Sequence, residues 1–287
     1  MRITVGIKSL KEADYFLRNG ADEIYFGATV PNHRGTPSSE KEIVDTIKLA
    51  KRLRKRTLLA LNQIYPREKY GFFLNQARRL TDSGLTGVVV RDPSLLEYFA
   101  GKKFRTYFVA GINSSCFNSQ TVEFYRNLGV KRFTLNSQIM PEDARKMFAA
   151  SLKTEIGIFV PCLFLEPNIV PFCFFGYPGR SGCPTQLACV IDYKCGGHDF
   201  RMLNSNLYFQ ADLLYDFHKL GVGWLKVSRQ RNTPKLIAEF RIALFLNRLL
   251  EKGVDRKTFA VATSELIQRV DMNKYGHSYT FKPFPDK

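Results

Sequence analysis

The chain has 287 residues, 45% of them apolar, enough for one large core and too apolar for a disordered chain. No uninterrupted apolar run is long enough to span a bilayer and no charged leader precedes an apolar segment, so the expectation is a cytoplasmic protein without a membrane span. The 43 Lys and Arg against 26 Asp and Glu give a formal charge of +17, which attracts polyanions such as RNA, or anionic small molecules, without choosing between them.

Short β-type runs alternate with helical ones. Arg2 to Gly6 reads as a strand, and Ser9 to Asn19 as a helix closed by Gly20. Glu23 to Ala28 is the next strand, followed by a helix over Glu40 to Lys55. Its basic run, Lys48 to Arg56, is interleaved with Ile47, Leu49, Ala50 and Leu53 at helical spacing, which makes it the solvent face of an amphipathic helix. Thr57–Asn62, Gly87–Arg91, Thr106–Ala110, Arg132–Asn136, Glu155–Val160 and Trp224–Ser228 complete a set of eight strand candidates. Each is short, nearly all apolar and a helix-length away from the next, the pattern of a parallel sheet covered by helices. Eight such units, with no Gly-x-Gly-x-x-Gly turn after the first strand, predict an α/β fold of the (β/α)8 TIM-barrel type rather than a dinucleotide-binding sheet. The barrel is expected to occupy residues 1–252 and to include a cysteine-rich insertion at 161–207. A C-terminal extension, 253–287, is expected to carry a helix over Asp255 to Asn273 and a tail.

The insertion follows the seventh strand, and no helix or strand is evident in it from the sequence. Cys173, Cys183, Cys189 and Cys195 lie within it, with successive spacings of ten, six and six positions. Prolines and glycines keep this segment from being one helix, so the thiols sit on loops that can wrap a guest. In a reducing compartment such a cluster points to metal rather than to disulfides. Paired Cys-x-x-Cys knuckles and ferredoxin-type runs are both absent, so the spacing leaves a [4Fe-4S] cluster and zinc open. Cys162 and His198 are further candidate ligands.

In a barrel of this kind the site lies at the C-terminal ends of the strands. Asn113, in the segment Asn113-Ser-Ser-Cys-Phe-Asn118, follows the fifth strand. Asn62, Arg91, Asp92 and Asn136 to Gln138 end other strands. Asn113 and Asn136 are candidates for orienting a substrate, and Arg91 for contacting an anion, whereas Asn118 or Ser119 is placed to cap the next helix. His33 and Arg34 occupy the loop after the second strand. No Ser-His-Asp or Cys-His arrangement and no pair of catalytic acids can be read from the chain.

Several blocks carry a family resemblance: Gly20-Ala-Asp-Glu-Ile-Tyr-Phe-Gly27, Val109-Ala-Gly-Ile-Asn-Ser-Ser-Cys-Phe-Asn-Ser119, Leu128-Gly-Val-Lys-Arg-Phe133 and Leu220-Gly-Val-Gly-Trp-Leu-Lys-Val227. In order, over about residues 1–250, they resemble the collagenase-like peptidase family U-32. Phe26-Gly-Ala-Thr-Val30 and Leu225-Lys-Val-Ser-Arg-Gln230 are similar to loop signatures of its branch acting in oxygen-independent ubiquinone hydroxylation. The resemblance implies a barrel, a cysteine-ligated [4Fe-4S] cluster, and hydroxylation of an aromatic quinone precursor or of an RNA base, with a homologous partner chain as a further candidate. The chain departs from the pattern at Pro31, Gln138, Pro161-Cys162 and Ser228, where relatives carry a cysteine, an acid, a His-Gly pair and an acid, and the loss of acids weakens a hydrolytic reading. The expected cluster ligands are Cys173, Cys183, Cys189 and Cys195. A peptidase, or an RNA-binding protein with a structural zinc site, is the alternative.

Overall fold

The computed structural model describes residues 1–27, 39–135, 139–150, 154–159, 191–195, 197–202, 213–227, 233–268, 270–272 and 279–281. Seven strands come first: β1 (Arg2–Gly6), β2 (Glu23–Gly27), β3 (Arg56–Leu61), β4 (Gly87–Val90), β5 (Tyr107–Ala110), β6 (Val130–Thr134) and β7 (Glu155–Phe159). A hairpin of β8 (Ile191–Cys195) and β9 (His198–Met202) follows, then β10 (Trp224–Val227). Strands β1 to β7 and β10 pair in parallel, each with its neighbour in sequence, and β10 closes the ring against β1, with Arg2 opposite Trp224 and Val5 opposite Val227. Each barrel strand is followed by a helix: α1 (Leu10–Arg18), α2 (Glu40–Arg52), α3 (Tyr70–Asp82), α4 (Pro93–Gly101), α5 (Ser119–Asn127), α6 (Pro141–Ala150), α7 (Leu213–Lys219) and α8 (Thr233–Glu251). The expected (β/α)8 barrel is the fold.

Strand alternation divides the core into two layers. Ile3, Val5, Ile24, Phe26, Leu59, Leu61, Val88, Val90, Phe133 and Leu225 point outward into one continuous core with the helices. Tyr25, Leu58, Ala60, Val89 and Val109 point inward and fill the barrel. Burying side chains of this size is worth about 1.5–3 kcal/mol each, so the outer layer is the main source of stability. The entry to each helix is set locally. Ser9 accepts from the Glu12 amide at the start of α1, and Glu12 in turn accepts from the Lys8 amide at 2.9 Å and from Thr233 Oγ1 at 2.8 Å, tying α1 to α8. Asn118 caps α5 through the Thr121 amide, as its position in the sequence suggested.

Three expectations need correction. The segment 161–207 is not free of regular structure, because β8 and β9 form an antiparallel hairpin. Its register sets Asp192 opposite Arg201 and Lys194 opposite Asp199, and Gly197 takes a positive φ at the turn. The alternation that produces this register was in the sequence and was masked by the glycine- and proline-rich run before it. The C-terminal helix, α9 (Arg256–Gln268), ends short of Asn273 and gives way to β11 (Val270–Met272), which pairs with β12 (Tyr279–Phe281); β12 lies against α8. Last, the basic run does not stay on the helix face. Lys48, Lys51, Arg52 and Arg54 are exposed, but the chain turns at Arg54, whose φ is +56°, and Arg56 begins β3 and points into the barrel.

Candidate functional site

The two ends of the barrel differ in kind. At the N-terminal end the first inward residues of the strands form a closed polar plug. Glu23 is fully buried and accepts from Arg132 Nη2 at 2.5 Å, with Arg56 Nε 3.4 Å away. Arg132 lies over the Trp224 ring at 4.1 Å, and Arg56 over the Tyr107 ring at 4.1 Å. Glu155 accepts from Tyr107 Oη, from Trp224 Nε1 at 2.7 Å and from Arg2 at 2.8 Å. Burial pushes the Glu155 carboxyl upward, but the Tyr107 hydrogen bond and the Arg2 charge outweigh it, and the net shift is downward. Burial also raises the Tyr107 phenol to about 12, so it stays a donor. Glu23, Arg56, Arg132, Glu155 and Arg2 are joined in ion pairs at this end, although Glu23 Oε2, Arg56 Nε and Arg132 Nη1 make no hydrogen bond, and the arrangement marks this end as structural.

Above the plug, Thr4, Tyr25, Arg132, Thr134, Trp224 and Lys226 help to line a cavity of about 10 Å³, room for about one water. The interior is therefore packed, and chemistry is left to the C-terminal mouth.

The mouth gathers several of the residues singled out from the sequence. Arg91 directly follows β4 and continues its inward alternation; the residue is 9% exposed, and its carbonyl accepts from Tyr125 Oη at 3.1 Å. Asn113 lies half-buried in a 3-10 turn, Ile112–Ser114, just after β5. The same turn is fastened by Ser114 Oγ, which donates to the Val90 carbonyl at 3.1 Å. Asp92 is not a mouth acid: it caps α4 through the Ser94 amide and accepts from Tyr70 Oη at 2.7 Å. Burial and that hydrogen bond together push the Tyr70 phenol up to about 12.

Two further polar residues face inward near the mouth. Asn62 Oδ1, just past β3, is buried without a hydrogen-bond partner, and Lys226, on β10, is buried with its ammonium 4.8 Å from the Tyr25 ring centroid. Asn62 stands just past a strand end, and Lys226 is the one charged residue within the strand Trp224–Val227. Asn136, His33, Arg34, Cys162, Cys173, Cys183 and Cys189 lie outside the described residues. Cys195 ends β8 and stands in register with His198 of β9. The hairpin belongs to the connection that leaves β7 at its C-terminal, mouth-side end. Among the described residues no group of three or more His, Cys, Asp or Glu is placed to hold a metal.

Cys116 is buried, and burial raises its thiol to about 12, so in the absence of a metal it stays protonated at neutral pH.

On the outer surface, α1 and α2 bound a groove of about 990 Å³ lined by Lys11, Arg18, Lys48, Lys51 and Arg52 against Asp14 and Asp45. Among the described residues no helix is long and apolar enough to cross a membrane.

Residues 8–163, more than half of the chain, match the model of Peptidase family U32. The chain belongs to this family. No curated protein matches it. Among solved structures, the U32 peptidase Mk0906 aligns at 16% identity over 55% of this chain and 68% of its own, with a TM-score of 0.45. Thiamine phosphate pyrophosphorylase from Pyrococcus furiosus aligns at 10% identity over 88% and 97%, with a TM-score of 0.48. A dipeptide epimerase from Enterococcus faecalis aligns at 18% identity over 56% and 47%, with a TM-score of 0.40.

Proposed function

We propose that this U32 protein holds a [4Fe-4S] cluster on Cys173, Cys183, Cys189 and Cys195 beside the barrel mouth, and that it supports oxygen-independent hydroxylation of an aromatic small molecule or an RNA base. The observation that carries the reading is the point of attachment of the cysteine segment. It leaves the barrel from the C-terminal end of β7, the end at which barrel enzymes build their sites, rather than from the plugged end. The donor set fits: four thiols satisfy the four ligand positions of a [4Fe-4S] cluster, and His198, across the hairpin from Cys195, is a fifth donor in the same connection. When bound, such a cluster supplies one-electron chemistry. The chain's own part is to orient the substrate at the mouth with Asn113 and Asn136, and to offer Arg91 to an anionic group.

The family match covers residues 8–163 and ends ahead of Cys173, so the cluster reading rests on the cysteine segment and not on the matched region. Hydrolysis, which the family's name suggests, gains little from the described residues. Cys116 is protonated and buried, while Glu12, Glu23, Asp92 and Glu155 are all spent on structural hydrogen bonds.

Anaerobic purification with iron and sulfide analysis and an absorption spectrum tests the reading. Iron and sulfide near stoichiometry, a broad visible shoulder bleached by reductant, and loss of iron in Cys189→Ser are expected. Colourless protein that carries zinc, or no metal after anaerobic reconstitution, would overturn it.

A further inference from the structure

The helix ends at the plug end of the barrel carry an irregularity that stability does not explain. Helices α1, α3, α5, α7 and α8 finish with glycine in the left-handed region, at Gly20, Gly84, Gly129, Gly221 and Gly253. At α2 and α4 the same position is held by Arg54, with φ +56°, and by Lys103, with φ +55°. The backbone closes in the same way at both. The Arg54 amide donates to the Lys51 carbonyl at 3.0 Å and the Lys55 amide to the Ala50 carbonyl at 2.9 Å, as the Lys103 and Phe104 amides do to Ala100 and Phe99. A residue with a Cβ is disfavoured at such a position, and glycine would remove the strain. Both exceptions are basic and exposed, and their turns lead into β3 and β5, which have β4 between them.

The turn between these two is covered by a third cation. A methyl group placed on Gly84 would lie 3.5 Å from Lys51 Cδ, so the stem of exposed Lys51 lies against the turn from α3 to β4. Arg105, exposed just ahead of β5, extends the row. Among the described residues, Lys51, Arg54, Lys103 and Arg105 form no ion pair with a carboxylate. Asp22 is taken by Lys55 at 3.2 Å, and Asp82, the last residue of α3, is exposed beside the middle turn. Like-charge repulsion along the row opposes folding, and a polyanion laid across it would relieve that repulsion. The three turns expose no large apolar side chain, so they lack the buried anchors of a protein interface and the groups that a membrane-surface element inserts. They also offer no exposed aromatic ring on which a base could stack. What they present is a line of point charges suited to successive phosphates of a chain.

We propose that Arg54, Lys51, Lys103 and Arg105 form a contact surface for the phosphate backbone of a nucleic acid, without regard to its sequence. Arg54 and Lys103 stand where glycine fits better because their charges are used. The surface lies at the plug end, away from the mouth, and does not depend on the cysteine segment.

Fluorescence anisotropy of a labelled oligouridylate, titrated with the full chain over a range of salt concentrations, tests the surface. Log affinity should fall with log salt by about 0.7 for each phosphate neutralised, so Arg54→Gly with Lys103→Gly should make the slope shallower by about 1.4. The same pair is expected to keep or raise the melting temperature, which separates lost binding from lost fold. Lys51→Gln with Arg105→Gln leaves the strained backbone alone; it should lower the slope by a similar amount, and it carries the test if the glycine pair melts lower. Arg145→Gln with Lys146→Gln removes the same charge from the exposed face of α6 and should leave the slope of the parent. A parental slope in both Arg54→Gly with Lys103→Gly and Lys51→Gln with Arg105→Gln would overturn the proposal. So would an equal change in the α6 control, which would trace binding to net charge, or binding to phosphatidylserine vesicles with none to the oligonucleotide.

Discussion

Removing the charge of Glu23 should destabilise the barrel more than any exposed ion-pair mutation. Its carboxylate and the Arg132 guanidinium are both almost fully buried, 2.5 Å apart, and Arg132 is further held between the plug's aromatic rings. At an effective dielectric constant of about 20, charges this close attract by about 7 kcal/mol, most of which is spent on stripping water from both ions. The net worth of the pair is therefore small, but the cost of breaking it is not. Glu23→Gln leaves Arg132 charged, buried and unpaired, with Arg56 3.4 Å from the same position, and a loss of about 3–5 kcal/mol is expected. Urea unfolding should show this as a midpoint lower by about 1–2 M, for a slope near the top of the usual range of about 1–3 kcal/mol/M. The double variant Glu23→Leu with Arg132→Met should recover much of the loss, because both ions leave together and Met still packs on Trp224. A Glu23→Gln loss under about 1 kcal/mol, the range of surface pairs, or a double variant as unstable as the sum of the single ones, would refute the plug as a coupled buried pair. Metal content should be unchanged in each of these variants, since the plug lies at the opposite end from the mouth.

Glu155 sets a pH dependence whose sign follows from its lowered pKa. The folded protein binds the Glu155 proton less tightly than the unfolded chain does, so its contribution is complete above the ordinary glutamate pKa and is lost as pH falls through the folded value. Stability measured below pH about 4.5 should fall less steeply in Glu155→Gln than in the parent, and equal slopes would show that the Tyr107, Trp224 and Arg2 contacts do not act through the charge. The groove between α1 and α2 should contribute to RNA retention by the +17 chain. With a single-stranded oligonucleotide, log affinity against log salt should fall by about 0.7 for each phosphate contact, and Lys51→Glu with Arg52→Glu should make that slope shallower. An unchanged slope would remove the groove from any RNA contact.

The sequence by itself determined the barrel. Eight apolar runs of strand length, spaced by amphipathic segments with glycine at helix ends such as Gly20 and Gly129, allow few other packings, because each run must be buried on both faces. It also placed the cysteine cluster after the seventh strand and the N-cap at Asn118, since both are matters of local order along the chain. It did not reveal which polar residues at strand ends serve chemistry and which serve packing. Asp92 read as a mouth acid and is a helix cap held by Tyr70, while Arg56 read as solvent face and is part of the plug. Lys226, Asn62 and Gly111 are separated by tens of residues and share no local pattern. Only closure of β10 onto β1 brings a lysine across the barrel to an amide from the end of β3 and to the one position after β5 that lacks a side chain. Periodicity records which face of a strand is buried, but partners on opposite sides of a closed barrel are set by the closure itself, and that belongs to the tertiary structure.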